Sequence, residues 1–268
     1  MDAPLKPRRS AVGQIVLLLL VTQLLFFSGF LSFNLPTATN QNLRNYCLRT
    51  AQSAVRAVPA PYQAKVLERL PGLKQAVGSV RFTAYTPQVP AAIFAGYILG
   101  WPLGAAAGVL MLVVGVVGPL IGVYAFAEGG GITYYTQPTF GYLIGLCLAA
   151  GLSGLVTKEK RSSLAQLLAV VSGLGAVHVS GLVYMLGSLL VLYFVAGPGS
   201  YPEWQPWVFE QARNGTWYQL PYDLLFSLGC IGIGFPFRWL VKTLTAPDIG
   251  YASRLPRFDS RDIEESLS

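Results

Sequence analysis

Between Thr83 and Leu155 the chain alternates apolar runs with polar, Gly- and Pro-rich pieces: TPQVP at 86–90, AEGGG at 127–131 and QPTFGYL at 137–143. The apolar runs are of bilayer-crossing character, and this is what makes the interruptions informative. An unpaired backbone N–H or C=O at membrane depth has no water to bond, so irregular pieces persist there only when buried in protein or lining a cavity. The pattern therefore calls for a pocket enclosed by membrane helices. Composition agrees: 53% of residues are hydrophobic and 12% charged, against about 25% charged in ordinary soluble domains.

The expected fold class is all-α, a polytopic six-helix transmembrane bundle with both termini cytoplasmic. The runs that read as spans are Val12–Phe33, Val89–Gly100, Leu103–Phe126, Phe140–Thr157, Leu164–Val195 and Leu220–Leu244. The second is only about 18 Å long at helical rise, so it starts from a polar segment dipping into the membrane. The fifth is too long for an untilted span and suggests an interfacial turn. The first run follows Lys6, Arg8 and Arg9 and exceeds the roughly 7–15 apolar residues of a cleaved signal, so it reads as a retained span. Residues 1–11 then form a basic cytoplasmic N-terminus, 12–244 the membrane domain and 245–268 a cytoplasmic tail.

The net charge of +7 sits at the ends of apolar runs, which is the membrane pattern rather than a nucleic-acid face. Lys6, Arg8 and Arg9, then Lys158, Lys160 and Arg161, then Lys242, Arg254, Arg257 and Arg261 all fall on one side of a six-span topology. That side should be cytoplasmic, and the plasma membrane is the expected location. The exception is an outer insert at 34–80, which carries six Lys or Arg. Its sequence alternates basic and apolar residues at helical spacing, suiting either interfacial amphipathic helices or a small helical cap. The outer loop Ala196–Gln219 is rich in Trp and Tyr, which reads first as headgroup anchoring and second as a lid.

Asp223 is the sharpest single residue, three positions into the last span. An ionisable group inside a span is costly and should face a cavity or the bundle interior; capping of the helix N-terminus is the alternative. The lone His178 reads as a hydrogen-bonded group within the bundle. Cys47, Cys147 and Cys230 are too scattered for a metal site, and one His argues against a zinc enzyme. The triple Gly at 129–131 is followed by no GK[ST] and reads as a sharp turn, not a nucleotide cradle. No catalytic set appears, so an enzyme is not expected. Gly96, Gly100, Gly104 and Gly108 recur at intervals suited to close helix packing.

The order Thr86, Gln88, Val89, Pro90, then Gly129–Gly131, then Pro138, Thr139, Gly141, Tyr142, Leu143 and Gly145 resembles the BioY family. These are the biotin-binding S-components of energy-coupling-factor (ECF) transporters, and the version here looks most like the cyanobacterial branch. PYDLLF at 221–226 resembles the family's Pro-x-Asp-Leu-Leu-Lys, with Phe226 at the Lys position. The resemblance implies a biotin pocket built from Thr86, Gln88, Gly130, Gly131, Thr139, Tyr142 and Asp223. Asp223 would accept the ureido N–H groups, while Thr86, Gln88, Thr139 or Tyr142 would donate to the ureido carbonyl. Arg81 or the backbone of the Gly129–Gly131 loop would meet the carboxylate in place of the missing Lys. It also implies an ECF coupling subunit and ATPase subunits as partners, with ATP used by them and no cofactor held by this chain. Span one lacks the small-residue face that serves for docking in that family. Two other classes stay open: an S-component for a different small molecule, and a non-transporting subunit of a larger membrane complex.

Overall fold

The computed structural model describes residues 11–124, 126, 130–158, 162–196 and 206–244. The terminal basic clusters, Lys160, Arg161, Glu128, Gly129, Tyr201 and Trp204 lie outside the described residues. The chain is mostly helical, and it is an integral membrane protein. Ala11–Phe30, Trp101–Ile121 and Ser163–Val191 are each long and apolar enough to cross a bilayer, and Gln88–Leu99 and Phe140–Val156 are shorter apolar helices. In chain order the elements are α1 (Ala11–Phe30), β1 (Phe33–Pro36), α2 (Asn40–Arg56), α3 (Ala60–Arg69), β2 (Phe82–Tyr85) and α4 (Gln88–Leu99). There follow α5 (Trp101–Val117), α6 (Phe140–Val156), α7 (Ser163–Ala196), α8 (Pro206–Ala212) and α9 (Leu220–Leu244).

α6 is the central helix, packed against α4, α5 and α7, while α4 also meets α9 and α1. Lipid tails are as apolar as the side chains, so membrane helices associate through close packing and interhelical hydrogen bonds. Gly96 shows the packing: a Cβ there would lie 1.9 Å from the Ala150 carbonyl oxygen and 2.1 Å from Ser153 Oγ. Ser153 Oγ donates to the Ile93 carbonyl at 3.0 Å, stitching α6 to α4. On the other flank a Cβ at Gly145 would meet Ser180 Oγ at 2.4 Å and Val177 Cα at 2.5 Å. This brings α7 hard against α6 just where His178 sits.

The structure departs from the expected spans in three places. α1 stops at Phe30, because the residues that follow leave the helix to pair with β2. The two strands form an antiparallel ribbon with Phe33 opposite Tyr85 and Pro36 opposite Phe82. The run expected to reach Phe126 leaves the α-helix at Val117; Gly118–Ile121 tightens into a 3₁₀ turn, and Gly122 takes a left-handed φ of 78°. The chain then doubles back, and the Phe126 ring closes onto Gly115. α7 is one unbroken helix of 34 residues, with no interfacial turn.

The insert folds on itself into a small lobe, with no fully buried apolar side chain among its described residues 37–82. Polar side chains hold it instead. Asn42, on the first turn of α2, is buried between the two ends of the excursion. Its Nδ2 donates to the carbonyls of Thr37 and Arg81 at 2.9 and 2.8 Å, and its Oδ1 accepts from the Arg81 N–H at 2.7 Å. Thr37 N–H also donates to the Arg81 carbonyl at 2.9 Å. Away from this clamp, Arg49 Nη2 donates to Gly78 and Gln52 Nε2 to Leu73 and Gln75, each at 2.9 Å.

Asn42→Ala should therefore release the lobe without unfolding the bundle. Each buried group left unpaired costs about 1–3 kcal/mol, so local opening should become at least roughly tenfold easier. Hydrogen exchange across 40–80 should accelerate by that factor while the helices α4 to α7 keep their protection. Unchanged exchange in the lobe would show that the clamp does not hold it.

Candidate functional site

Where α1 ends and α4, α6 and α9 begin, the helices leave a cavity of about 240 Å³. That is just below the roughly 300–1,000 Å³ of typical small-molecule sites. Gly29 comes from the end of α1, Thr86, Gln88 and Val89 from the turn into α4, and Thr139, Tyr142, Leu143 and Leu146 from the start of α6. Val177 and His178 of α7, Asp223 of α9 and the rings of Phe126 and Tyr134 also line it. Gly215, at the centre of a π-helical stretch at Arg213–Trp217, and Gln211 and Gln219 on either side of it complete the lining.

Asp223 is the electrostatic centre, 2% exposed. Tyr85 Oη donates to its Oδ1 at 2.9 Å, and His178 Nε2 lies 3.3 Å from its Oδ2. The carboxylate bonds a side chain, so helix capping is not its role. Removing a carboxylate from water costs several kcal/mol unless partners compensate, and these two supply that compensation. Burial first, and then the nearby Asp223 charge, pushes the Tyr85 phenol well above its ordinary value. Tyr85 therefore stays a proton donor across the physiological range.

The ribbon exists at the right place to make this contact. Strand alternation turns Tyr85 inward while Phe82 and Ala84 stay exposed. The start of α9 is tied to the same ribbon: Gln219 Nε2 donates to Ala84 at 3.2 Å, and the Tyr222 hydroxyl donates to the Pro36 carbonyl. Phe226 stacks on Tyr85 with ring centroids 5.3 Å apart and 23° between planes. Phe226 is not among the residues lining the cavity, although it and Asp223, three positions apart on α9, both meet Tyr85. Asp223 and Phe226 thus both hold Tyr85: Asp223 accepts from the phenol, and Phe226 covers the ring face.

The sequence-derived residues divide clearly. Thr86, Gln88, Thr139, Tyr142 and Asp223 converge on the cavity. Gly130 and Gly131 do not line it; their φ angles are 100° and 108°, and Gly131 N–H donates to the Gly115 carbonyl at 3.1 Å. They form the return turn that seats Phe126. Arg81 is exposed on the ribbon margin, with its backbone held by Asn42. His178, Tyr85, Gln211 and Gln219 were not singled out for the pocket. An ionisable residue in mid-span was a signal for His178; no local pattern marked the others. Within the described part of the aromatic loop, 206–219, Tyr142 and Thr216 share a hydroxyl hydrogen bond of 2.8 Å, whereas Trp217 is exposed.

The family model described as the BioY family matches residues 75–236. That stretch runs from the end of the lobe into α9 and includes every lining residue except Gly29. A curated relative, the probable biotin transporter BioY of Lysinibacillus sphaericus, is 32% identical over 124 residues, 46% of this chain and 55% of the relative. The chain thus spans about half the length of the curated relative it matches. A solved structure, the S-component for biotin from an ECF-type ABC transporter, aligns at 15% identity with a TM-score of 0.48. The alignment covers 86% of this chain and 92% of that one.

The Tyr85–Asp223 contact should be measurable apart from any ligand. Tyr85→Phe removes one donor to a buried carboxylate, which should lower stability by about 1.5–3 kcal/mol. Asp223→Asn in the Tyr85→Phe background should cost less than it does alone, and thermal unfolding of the four proteins gives the coupling. Strict additivity would mean that the hydrogen bond contributes nothing.

Proposed function

This chain belongs to the BioY family, and we propose that it captures biotin at the outer side of the plasma membrane for ATP-driven uptake. The observation that carries the reading is the buried Asp223 carboxylate inside a cavity walled by neutral donors and aromatic rings. Biotin suits such a wall. Its ureido ring presents two N–H donors and a carbonyl, and the rest is an apolar bicycle and chain ending in a carboxylate. Asp223 accepts ureido N–H groups, and Thr86, Gln88, Thr139 and Tyr142 supply hydroxyl and amide groups around the ring. Tyr134 and Phe126 cover the apolar part. Gly130 and Gly131 act through the turn that positions Phe126. The curated relative is named for the same ligand, which supports the choice of biotin.

In this reading the chain has no catalytic chemistry and holds no cofactor. Energy comes from ATP hydrolysed by partner subunits, reached through an ECF coupling subunit in the bilayer. The six apolar helices α1, α4, α5, α6, α7 and α9 each cross, with both termini cytoplasmic. That places the pocket, the ribbon and the basic lobe outside. The short α4 completes its crossing through the polar turn that precedes it, which is the turn lined by Thr86 and Gln88.

Purified protein should bind biotin, and Asp223→Asn should weaken binding at least tenfold, given the 1.5–3 kcal/mol typical of hydrogen bonds to charged groups. Equal affinity in a folded variant would remove Asp223 from the ligand site. For topology, Cys47 is exposed on the lobe, so an impermeant thiol reagent should label it in intact cells. Labelling only after the membrane is broken would invert the proposed orientation.

A further inference from the structure

We infer that His178 recognises the ligand directly, acting with Asp223 to read the adjacent N–H and C=O of a cyclic urea or lactam. This rests on the pocket being the site of biotin capture. Among the described residues lining the cavity, Asp223 and His178 are the only carboxylate and imidazole, and there is no Lys or Arg. The His178 side chain is 7% exposed, and neither ring nitrogen has a hydrogen bond of good geometry within the protein. A buried imidazole with both nitrogens unsatisfied is unusual for a residue that serves packing alone.

The position of its proton follows from its surroundings. Asp223 Oδ2, 3.3 Å from Nε2, draws a proton onto that nitrogen, and Nδ1 has no acceptor to hold one. The wall thus presents an N–H donor at Nε2 beside a carboxylate acceptor. A cyclic urea or lactam has its N–H and C=O locked side by side on one edge, which is the complement of this pair. Tyr85 and Gln219 already donate within the protein, to Asp223 Oδ1 and to Ala84. Thr86, Gln88, Thr139 and Tyr142 also offer polar groups to the cavity, but among the described lining residues His178 is the donor beside the Asp223 carboxylate, at 3.3 Å. In the bound state its Nε2–H turns from Oδ2 to the ligand carbonyl.

The alternative is that His178 only steadies Asp223, and a change on the ligand separates the two roles. In 2-iminobiotin the ureido C=O is replaced by C=NH, which is protonated to a guanidinium at neutral pH and there presents only donors. Full-length purified wild type, His178→Ala and His178→Gln would be titrated with biotin and with 2-iminobiotin. Loss of one such hydrogen bond should weaken biotin about tenfold in His178→Ala but 2-iminobiotin less than about threefold. His178→Gln, which keeps a side-chain donor, should recover part of the biotin affinity. Parallel losses for both ligands, or no loss at all, would overturn direct recognition by His178. Wild type that binds neither ligand would sink the biotin reading of the pocket and this inference with it.

Discussion

A carboxylate buried among membrane helices organises this protein. Asp223 can remain there only with compensation from groups fixed in space, and those groups come from distant parts of the chain. Tyr85 arrives on a strand 138 residues earlier in sequence, and His178 arrives on the long helix α7. The ribbon, the entry angle of α9 and the contact between α6 and α7 must all be correct for the three side chains to meet. The pocket and the bundle are therefore one problem in packing.

Close approach of backbones makes that meeting possible. At Gly96 and Gly145 the neighbouring helix sits where a Cβ would be. Ser153 and Ser180 add hydrogen bonds across those same contacts, Ser153 to Ile93 and Ser180 to Gly141. With no aqueous hydrophobic effect between helices in lipid, van der Waals contact and such bonds are what hold the register. A register shift of one residue along α7 would carry His178 about 1.5 Å along the axis and turn it by roughly 100°. The polar wall of the cavity would then be broken.

Much of the helical framework was legible in the sequence, because lipid leaves few options for a long apolar run. The polar interruptions were legible for the same reason, and Thr86, Gln88, Thr139, Tyr142 and Asp223 do gather at one cavity. What could not be read was long-range pairing. FNLP and FTAY are four-residue strands separated by 45 residues with two helices between them, and neither carries a hairpin turn signal. Without the ribbon, Tyr85 looked like one more aromatic residue, and nothing local showed that Gly130 and Gly131 would pack on Gly115 rather than line the cavity. Phe226 stacks on the Tyr85 ring, a partner that only the ribbon brings to α9.

The ribbon and the Asn42 clamp bring the two ends of a long excursion to adjacent points. A loop whose ends are already fixed side by side loses entropy only slowly as it lengthens, roughly as the logarithm of its length. Everything between the clamped ends can thus be lengthened, shortened or exchanged while the strand that delivers Tyr85 keeps its position. The lobe is in that sense a module plugged into a fixed socket. Relatives that share this cavity need share nothing of what hangs above it.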